Sequence, residues 1–270
     1  GGYAKIAAIR DRLPALQRIY VIGEGDVATV SFWDAIEGAS DAFETVNTRA
    51  DDPAIIIYTS GTTGNPKGAL HAHRVLLGHL PNIEMAHDFF PKPGDVMWTP
   101  ADWAWIGGLF DALFPAWYHG VPMVGYRAKK FDPLEAMQLM AAHKVRNVFL
   151  PPTALKLMRQ AGVKHDGVRL RSIFTGGESL GGELLDWVRT TFGVEAHEIY
   201  GQTECNLVVG NNAKLFPICP GSMGKATPGF DVRIVDETGR ELPNGETGII
   251  GVRAPNPCMI LQYWDNEAAT

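Results

Sequence analysis

Cysteine is scarce in this sequence. Cys205, Cys219 and Cys258 are the only three in 270 residues, and no two stand in a C-x-x-C spacing. An odd number of scattered thiols argues against a disulfide framework or a cysteine zinc site and suits a reducing compartment, so the expected location is cytoplasmic. Positive charge is short as well: 24 Lys and Arg face 30 Asp and Glu, a formal net charge of -6, which leaves no basic field to hold nucleic acid. No run of about 18 apolar residues is present to span a bilayer. No charged leader precedes the first predicted element, and the chain starts in mid-flow at Gly1-Gly2-Tyr3 without an initiator Met, as a fragment of a longer protein would. What is present is 46% hydrophobic and 20% charged residues, the composition of a soluble globular chain with a substantial core.

Short β-rich apolar runs recur at Ile19 to Ile22, Ala54 to Tyr58, Val96 to Thr99, Val121 to Tyr126, Val145 to Leu150, Ser172 to Thr175 and Glu198 to Tyr200. Their lack of alternation predicts strands buried on both faces. Helical patterns lie between them. Asp132-Pro133 reads as an N-cap and first helical residue ahead of Leu134, Met137 and Ala141, and Leu184, Leu185, Val188 and Phe192 share one face that ends at Gly193, a left-handed C-cap. The fold class is α/β, with a largely parallel, helix-covered sheet. After about Pro220 the texture changes to turn-linked strands in "DVRIVDETGRELPNGETGIIGVRA", a meander or a portion of a small β-barrel. The expected organisation is an α/β core over residues 1–219 and a β-rich subdomain over 220–270.

The chemistry concentrates in "YTSGTTGNPKG", Tyr58 to Gly68. Glycines let the backbone approach a ligand closely, Thr59, Ser60, Thr62 and Thr63 supply hydroxyls, and Lys67 supplies a cation, a combination suited to polyphosphate. It is not a Walker A loop, because the spacing from Gly61 would require Gly at position 66, which is Pro. "TGGESL" at Thr175 to Leu180 and "EIYGQTEC" at Glu198 to Cys205 each close a predicted strand, where ligands of parallel sheets bind. There Tyr200 can stack on a purine, Gln202 and Thr203 can donate to phosphate or carboxylate, and Glu204 is a hard oxygen ligand for Mg²⁺. Taken singly, a residue such as Tyr200 is more often a packed core aromatic and one such as Glu204 more often a solvated surface charge. Their combination favours the site.

"YTSGTTGNPKG", "GGES", "YGQTE" and "PGSMGKATPG" stand in the order and separations of the adenylate-forming (AMP-dependent) acyl-CoA synthetases, and nearly the whole chain resembles their large N-terminal domain, near the acetyl-CoA and medium-chain acyl-CoA synthetases. The resemblance implies an AMP-forming ligase that activates a carboxylic acid with Mg-ATP and passes the acyl group to coenzyme A. It implies that Thr59, Ser60, Gly61, Thr62, Thr63, Gly64 and Lys67 hold the ATP phosphates, that Gly177 and Glu178 flank the adenine, and that Tyr200 and Gly201 lie against the nucleotide. Gln202 and Thr203 then meet the reacting carboxylate and α-phosphate, and Glu204 the metal; Lys67, Thr203 and Glu204 are the implied catalytic residues. An adenylation domain loading a carrier-protein thiol, and a nucleotide-binding domain without turnover, are the alternatives.

The acid is expected against "PADWAWIGGLF" and "VFLPPTALKLM", where Trp103, Trp105, Gly107 and Gly108 could line an apolar slot and Ile106, Phe110, Leu113 and Trp117 follow helical spacing toward the core. Asp102 reads as an N-cap, and His71 and His73 as surface residues at a helix start. Gly201 stands where acetyl-selective relatives carry Trp, leaving open space that predicts an acid larger than acetate. By the same resemblance a ribose-binding Asp and a C-terminal lid domain with a catalytic Lys lie beyond Thr270, so the fragment alone is not expected to turn over.

Overall fold

Two compact units divide the chain between Asn47 and Thr48. In the computed structural model, which describes residues 2–59 and 65–270, the first unit holds α1 (Gly2–Ala7), the parallel pair β1 (Tyr20–Val21) and β2 (Val30–Ser31), and α2 (Phe32–Glu37). The Ser31 side chain caps α2 by accepting from the Asp34 N–H at 3.3 Å.

The second unit opens with the hairpin β3 (Pro53–Tyr58) and β4 (Gly68–Ala72), then α3 (Val75–Ala86) and β5 (Met97–Trp98). α4 (Ile106–Gly108) runs through a π-helical turn, Leu109–Leu113, into α5 (Phe114–Tyr118). Next come α6 (Pro133–Ala142), β6 (Asn147–Phe149), α7 (Pro152–Ala161), β7 (Ser172–Gly176), α8 (Gly182–Phe192), β8 (Ala196–Gln202) and β9 (Cys205–Gly210). Four short strands close the chain: β10 (Lys225–Ala226), β11 (Val232–Val235), β12 (Ile249–Val252) and β13 (Gln262–Tyr263).

The central sheet runs β10-β9-β8-β7-β6-β5, with β5 to β8 parallel and β9 and β10 antiparallel at one edge. Its parallel strands are covered on both faces, and the polar side chains they carry, Asn147, Ser172, Thr175, His197 and Glu198, are buried along with the apolar ones. Val148 and Ile173 point to a cluster with Met137, Met140, Leu155, Met158 and Val188 from α6, α7 and α8, while their neighbours Phe149 and Phe174 point to Ile83 and Ala86 of α3. Each of these fully buried large side chains contributes about 2 kcal/mol. The helix ends follow the sequence: Asp132 Oδ1 accepts from the N–H groups of Leu134 and Glu135, and Gly162 and Gly193 close α7 and α8 in the left-handed conformation.

Several expectations are corrected. The run Ala54 to Tyr58 lies outside the central sheet, in a three-stranded antiparallel sheet ordered β13-β4-β3, where one face is covered and Ile56 and Tyr58 point outward. Val121 to Tyr126 makes only a single parallel bridge, Met97 to Met123, because Pro122 has no N–H for a ladder. On α6 the buried side is Ala136, Met137 and Met140, with Leu134 exposed. Trp117 is exposed rather than core, although Ile106, Phe110 and Leu113 are buried. The turn-linked strands expected after residue 220 are present: β10 joins the central sheet, β13 pairs with β4, and β11 and β12 form a hairpin. No helix among the described residues is long and apolar enough to cross a membrane.

Three histidines of this unit are buried without charge. His71 on β4 and His79 on α3 are both fully buried, and burial lowers each pKa to about 4. His87, on the Ser172 hydroxyl at 2.8 Å, is lowered to about 3 by burial and by the Arg171 guanidinium, which also clasps both oxygens of Asp95. The folded state keeps all three neutral where the unfolded chain takes a proton on each below pH 6.5, so stability is complete above that pH and lost as the pH falls toward 4. Three protons of difference give a slope on the order of 4 kcal/mol per pH unit. Urea midpoints should therefore be level from pH 8 to 7 and drop steeply from 6.5 to 5.5; a level midpoint down to 5.5 would contradict the neutral burial.

Candidate active site

The strands bring their carboxyl ends to one edge, and there a cavity of about 770 Å³ opens. It is lined by Thr59, Asn65 and Lys67 from the β3–β4 connection, Gly176 and Gly177 from the end of β7, and Gly201, Gln202, Thr203 and Glu204 from the end of β8 and its turn. Trp105, Ile106, Phe149, Phe174 and Ile199 form an apolar wall, and Asp111 and Asn206 contribute polar groups. This is the crevice position of ligands in parallel α/β sheets.

Each segment is held by identifiable bonds. The Thr59 N–H donates to the Lys67 carbonyl at 2.9 Å, closing the neck of the hydroxyl-rich loop. Glu198, buried on β8 with its pKa raised by desolvation, accepts from the Leu180 N–H at 3.0 Å and so ties down the turn that carries Gly177 and Glu178. The Tyr263 hydroxyl donates to Glu204 Oε1 at 2.5 Å while Lys67 Nζ lies 4.7 Å from the centre of the Tyr263 ring. Burial and the Glu204 carboxylate push the Tyr263 pKa up to about 12, which keeps the phenol a donor at neutral pH. One aromatic side chain thus organises a cation and an anion of the cavity together.

Of the residues selected from sequence, Thr59, Lys67, Trp105, Gly177, Gly201, Gln202, Thr203 and Glu204 meet around this cavity. Ser60, Gly61, Thr62, Thr63 and Gly64 lie outside the described residues. Tyr200 is half-buried on β8 opposite Val209 and is not among the lining residues, and neither is Glu178, which binds the Thr153 hydroxyl at 2.8 Å and Lys156 at 3.1 Å. Trp103 lies apart from the lining, near Gly125, whereas Trp105 forms part of the wall. Gly107 acts indirectly: a Cβ there would come within 2.5 Å of the Trp105 ring and 2.9 Å of Phe149, so its bareness makes room for the wall.

Two polar expectations change. Asp102 caps a turn through the Ala104 N–H at 2.9 Å rather than a helix, since α4 begins at Ile106. His71 is buried rather than at the surface, because β4 is covered on both faces; His73, one residue beyond the strand, is exposed. Asp111, Asn206 and Tyr263 were not found by sequence reasoning. Their contacts join residues 95 and 59 positions apart, and no local motif marks them.

The chain belongs to the AMP-binding enzyme family, whose model matches residues 3–264. It is 32% identical over 246 residues to the mitochondrial acyl-coenzyme A synthetase ACSM4 of Rattus norvegicus, covering 89% of this chain and 42% of that protein. It is 36% identical over 267 residues to the uncharacterized acyl-CoA ligase YtcI of Bacillus subtilis (strain 168), covering 96% and 49%. Its structure is similar to the anthranilate CoA ligase AuaEII in complex with anthranoyl-AMP, with a TM-score of 0.85, 28% identity, and coverage of 98% and 51%. The chain spans about half the length of the relatives it matches.

The space beside Gly201, expected to be open, is filled. A Cβ at this position would overlap the Leu207 backbone nitrogen and come within 2.5 Å of Asn206 Oδ1. A side chain there cannot simply extend into the cavity; the β8–β9 turn must first move. Overpacking of this kind costs about 1–3 kcal/mol. Gly201→Ala should lower the unfolding free energy by that amount in chemical denaturation, and wild-type stability in the variant would show that the turn gives way freely.

Proposed function

We propose that the intact protein containing this chain is an AMP-forming acid–thiol ligase. The carrying observation is that one cavity joins the ends of the hydroxyl-rich loop, the Gly176-Gly177 turn and the Gly201–Glu204 segment. The names of the relatives, acyl-CoA synthetases and a ligase solved with an acyl-adenylate, support the same reading. In the proposed reaction the acid's carboxylate attacks the α-phosphate of ATP, forming a carboxyl–phosphate anhydride and releasing pyrophosphate; the thiol of coenzyme A then displaces AMP.

A carboxylate is already an ionised nucleophile at neutral pH, so the first step calls for charge neutralisation and alignment rather than a general base. Lys67 offers a cation at the loop neck, fixed over the Tyr263 ring, and Gln202 and Thr203 offer donors where the acid and α-phosphate would meet. The glycines of the β7 end leave backbone for a flat base, and we place the adenine there, with Glu178 at its rim and Tyr200 backing the strand. Glu204 would hold Mg²⁺, which supplies neutralisation of phosphate charge. A lone carboxylate fits that ion, because Mg²⁺ takes one or two protein carboxylates and completes its shell with phosphate oxygens and water. No group of three His, Cys, Asp or Glu side chains suited to a resident metal occurs among the described residues. The apolar wall of Trp105, Phe149 and Phe174 leaves space for an acid larger than acetate, and the three unpaired thiols fit a cytoplasmic protein.

Pyrophosphate exchange into ATP by the intact protein tests this reading. Lys67→Ala and Glu204→Gln should each reduce acid-dependent exchange about a hundredfold, since removing one preorganised charge-stabilising contact costs on the order of 3 kcal/mol. Near-normal exchange by a folded Glu204→Gln protein would remove that residue from the reaction. An absence of exchange with every acid in wild type would sink the ligase reading itself.

A further inference from the structure

The floor of the cavity is unlike its wall. Asp111 sits in the π-helical turn between α4 and α5, 4% exposed, yet lines the cavity. A π-helical turn often marks a functional position, because it redirects side chains that an α-helix would place elsewhere. Asn206, 6% exposed, donates from Nδ2 to Asp111 Oδ1 at 2.6 Å. Behind the pair, His79 Nε2 lies 3.9 Å from the same oxygen. The His79 Nδ1 makes a 2.8 Å bond to the Val75 carbonyl, which places its proton on Nδ1 and leaves Nε2 a lone pair, unpartnered and buried.

A carboxyl group has acceptor capacity for several hydrogen bonds, and burial without them costs free energy. Among the described residues only Oδ1 of Asp111 takes a hydrogen bond, and Oδ2 is not among the side-chain atoms sealed off without a partner, as suits a group that lines the cavity. Burial raises the Asp111 pKa well above the ordinary carboxylate range, opposed in part by the Asn206 bond. An arrangement serving only the fold would be better filled by Leu, as its neighbours Phe110 and Leu113 are apolar.

Resting on the ligase reading, we propose that Asp111 and Asn206 form a specificity subsite for an acid that carries a hydrogen-bond donor, a hydroxyl or an amine, at the end remote from its carboxyl. The carboxylate of such an acid lies toward Thr203 and its body along the aromatic wall of Trp105, Phe149 and Phe174, whose last two rings stack at 4.8 Å. The donor then meets Asp111. A plain alkyl or aryl acid of the same length covers Oδ2 without giving it a donor and is disfavoured, because a site built around a hydrogen bond rejects the analogue that lacks it far more strongly than a methylene pocket rejects a size change.

The test is pyrophosphate exchange by the intact protein with matched acids: hexanoate, 6-hydroxyhexanoate and 6-aminohexanoate, and benzoate with 3- and 4-hydroxybenzoate and 4-aminobenzoate. In wild type at least one donor-bearing acid should exceed its plain partner at least tenfold in kcat/KM; preference for the amine identifies an ionised Asp111, and preference for the hydroxyl a neutral one. Asp111→Leu, with folding checked by circular dichroism, should erase or invert that preference in kcat/KM. Exchange with plain acids that equals or exceeds every donor-bearing partner would overturn this inference and leave the ligase reading standing. A folded Asp111→Leu enzyme with an unchanged preference would overturn it too. No exchange with any acid would bring down both.

Discussion

The in-register parallel pairing of β7 with β8 is the constraint on which the site depends. Thr175 lies opposite Glu198 and Gly176 opposite Ile199, so the two strand ends emerge side by side. The approach is close enough that a Cβ on Gly176 would stand 2.7 Å from the Ile199 carbonyl oxygen, which is why a glycine ends this strand. From that register follow the position of Gly177, the reach of Glu198 to the Leu180 N–H, and the delivery of Gly201 to Glu204 into the same cavity. A one-residue slip of β8 would turn Ile199 away from the apolar cluster it shares with Phe174 and dismantle the wall at the same time as the turn.

A second constraint joins the two sheets that build the cavity. The segment ending in β13 pairs with β4, where the Leu261 N–H donates to the Leu70 carbonyl at 2.8 Å and the Trp264 N–H to the Gly68 carbonyl at 2.7 Å. The same segment reaches the turn after β8, with the Ile260 N–H on the Glu204 carbonyl at 3.0 Å. It therefore stitches the strand that follows the hydroxyl-rich loop to the end of the parallel sheet. Tyr263 repeats the connection in side chains, through Lys67 on one side and Glu204 on the other. The cavity is consequently graded: charged and hydrogen-bonding at the loop, aromatic along the wall, and a buried carboxyl with its amide partner at the floor.

How much of this was legible in the sequence varied with the range of the interactions. The parallel strands could be read because residues buried on both faces are mostly apolar, and Asp132 and Gly193 because a cap is a local requirement of the helix end. The "YGQTE" and "GGES" segments were legible as compact motifs, and the cavity gathers Gly177 and Gly201 to Glu204. Trp103 and Trp105 differ by only two positions, and composition cannot tell which one the turn after Asp102 aims at the cavity. His71 looked like a surface residue because its neighbour His73 is one; only the covering of both faces of β4 separates them. Asp111, Asn206 and Tyr263 gain their meaning from partners far along the chain, and a lone Asp in an apolar helical pattern carries no such message.

Acid adenylation is defined by the phosphorus atom that the acid attacks. The intact protein, incubated with ATP labelled at the α-phosphate, Mg²⁺ and a carboxylic acid it accepts, but no coenzyme A, should form a labelled acyl-adenylate and release pyrophosphate in equal amounts, with both products dependent on the acid. Release of ADP or inorganic phosphate instead, or product formation indifferent to the acid, would contradict the assignment of this cavity to acid adenylation.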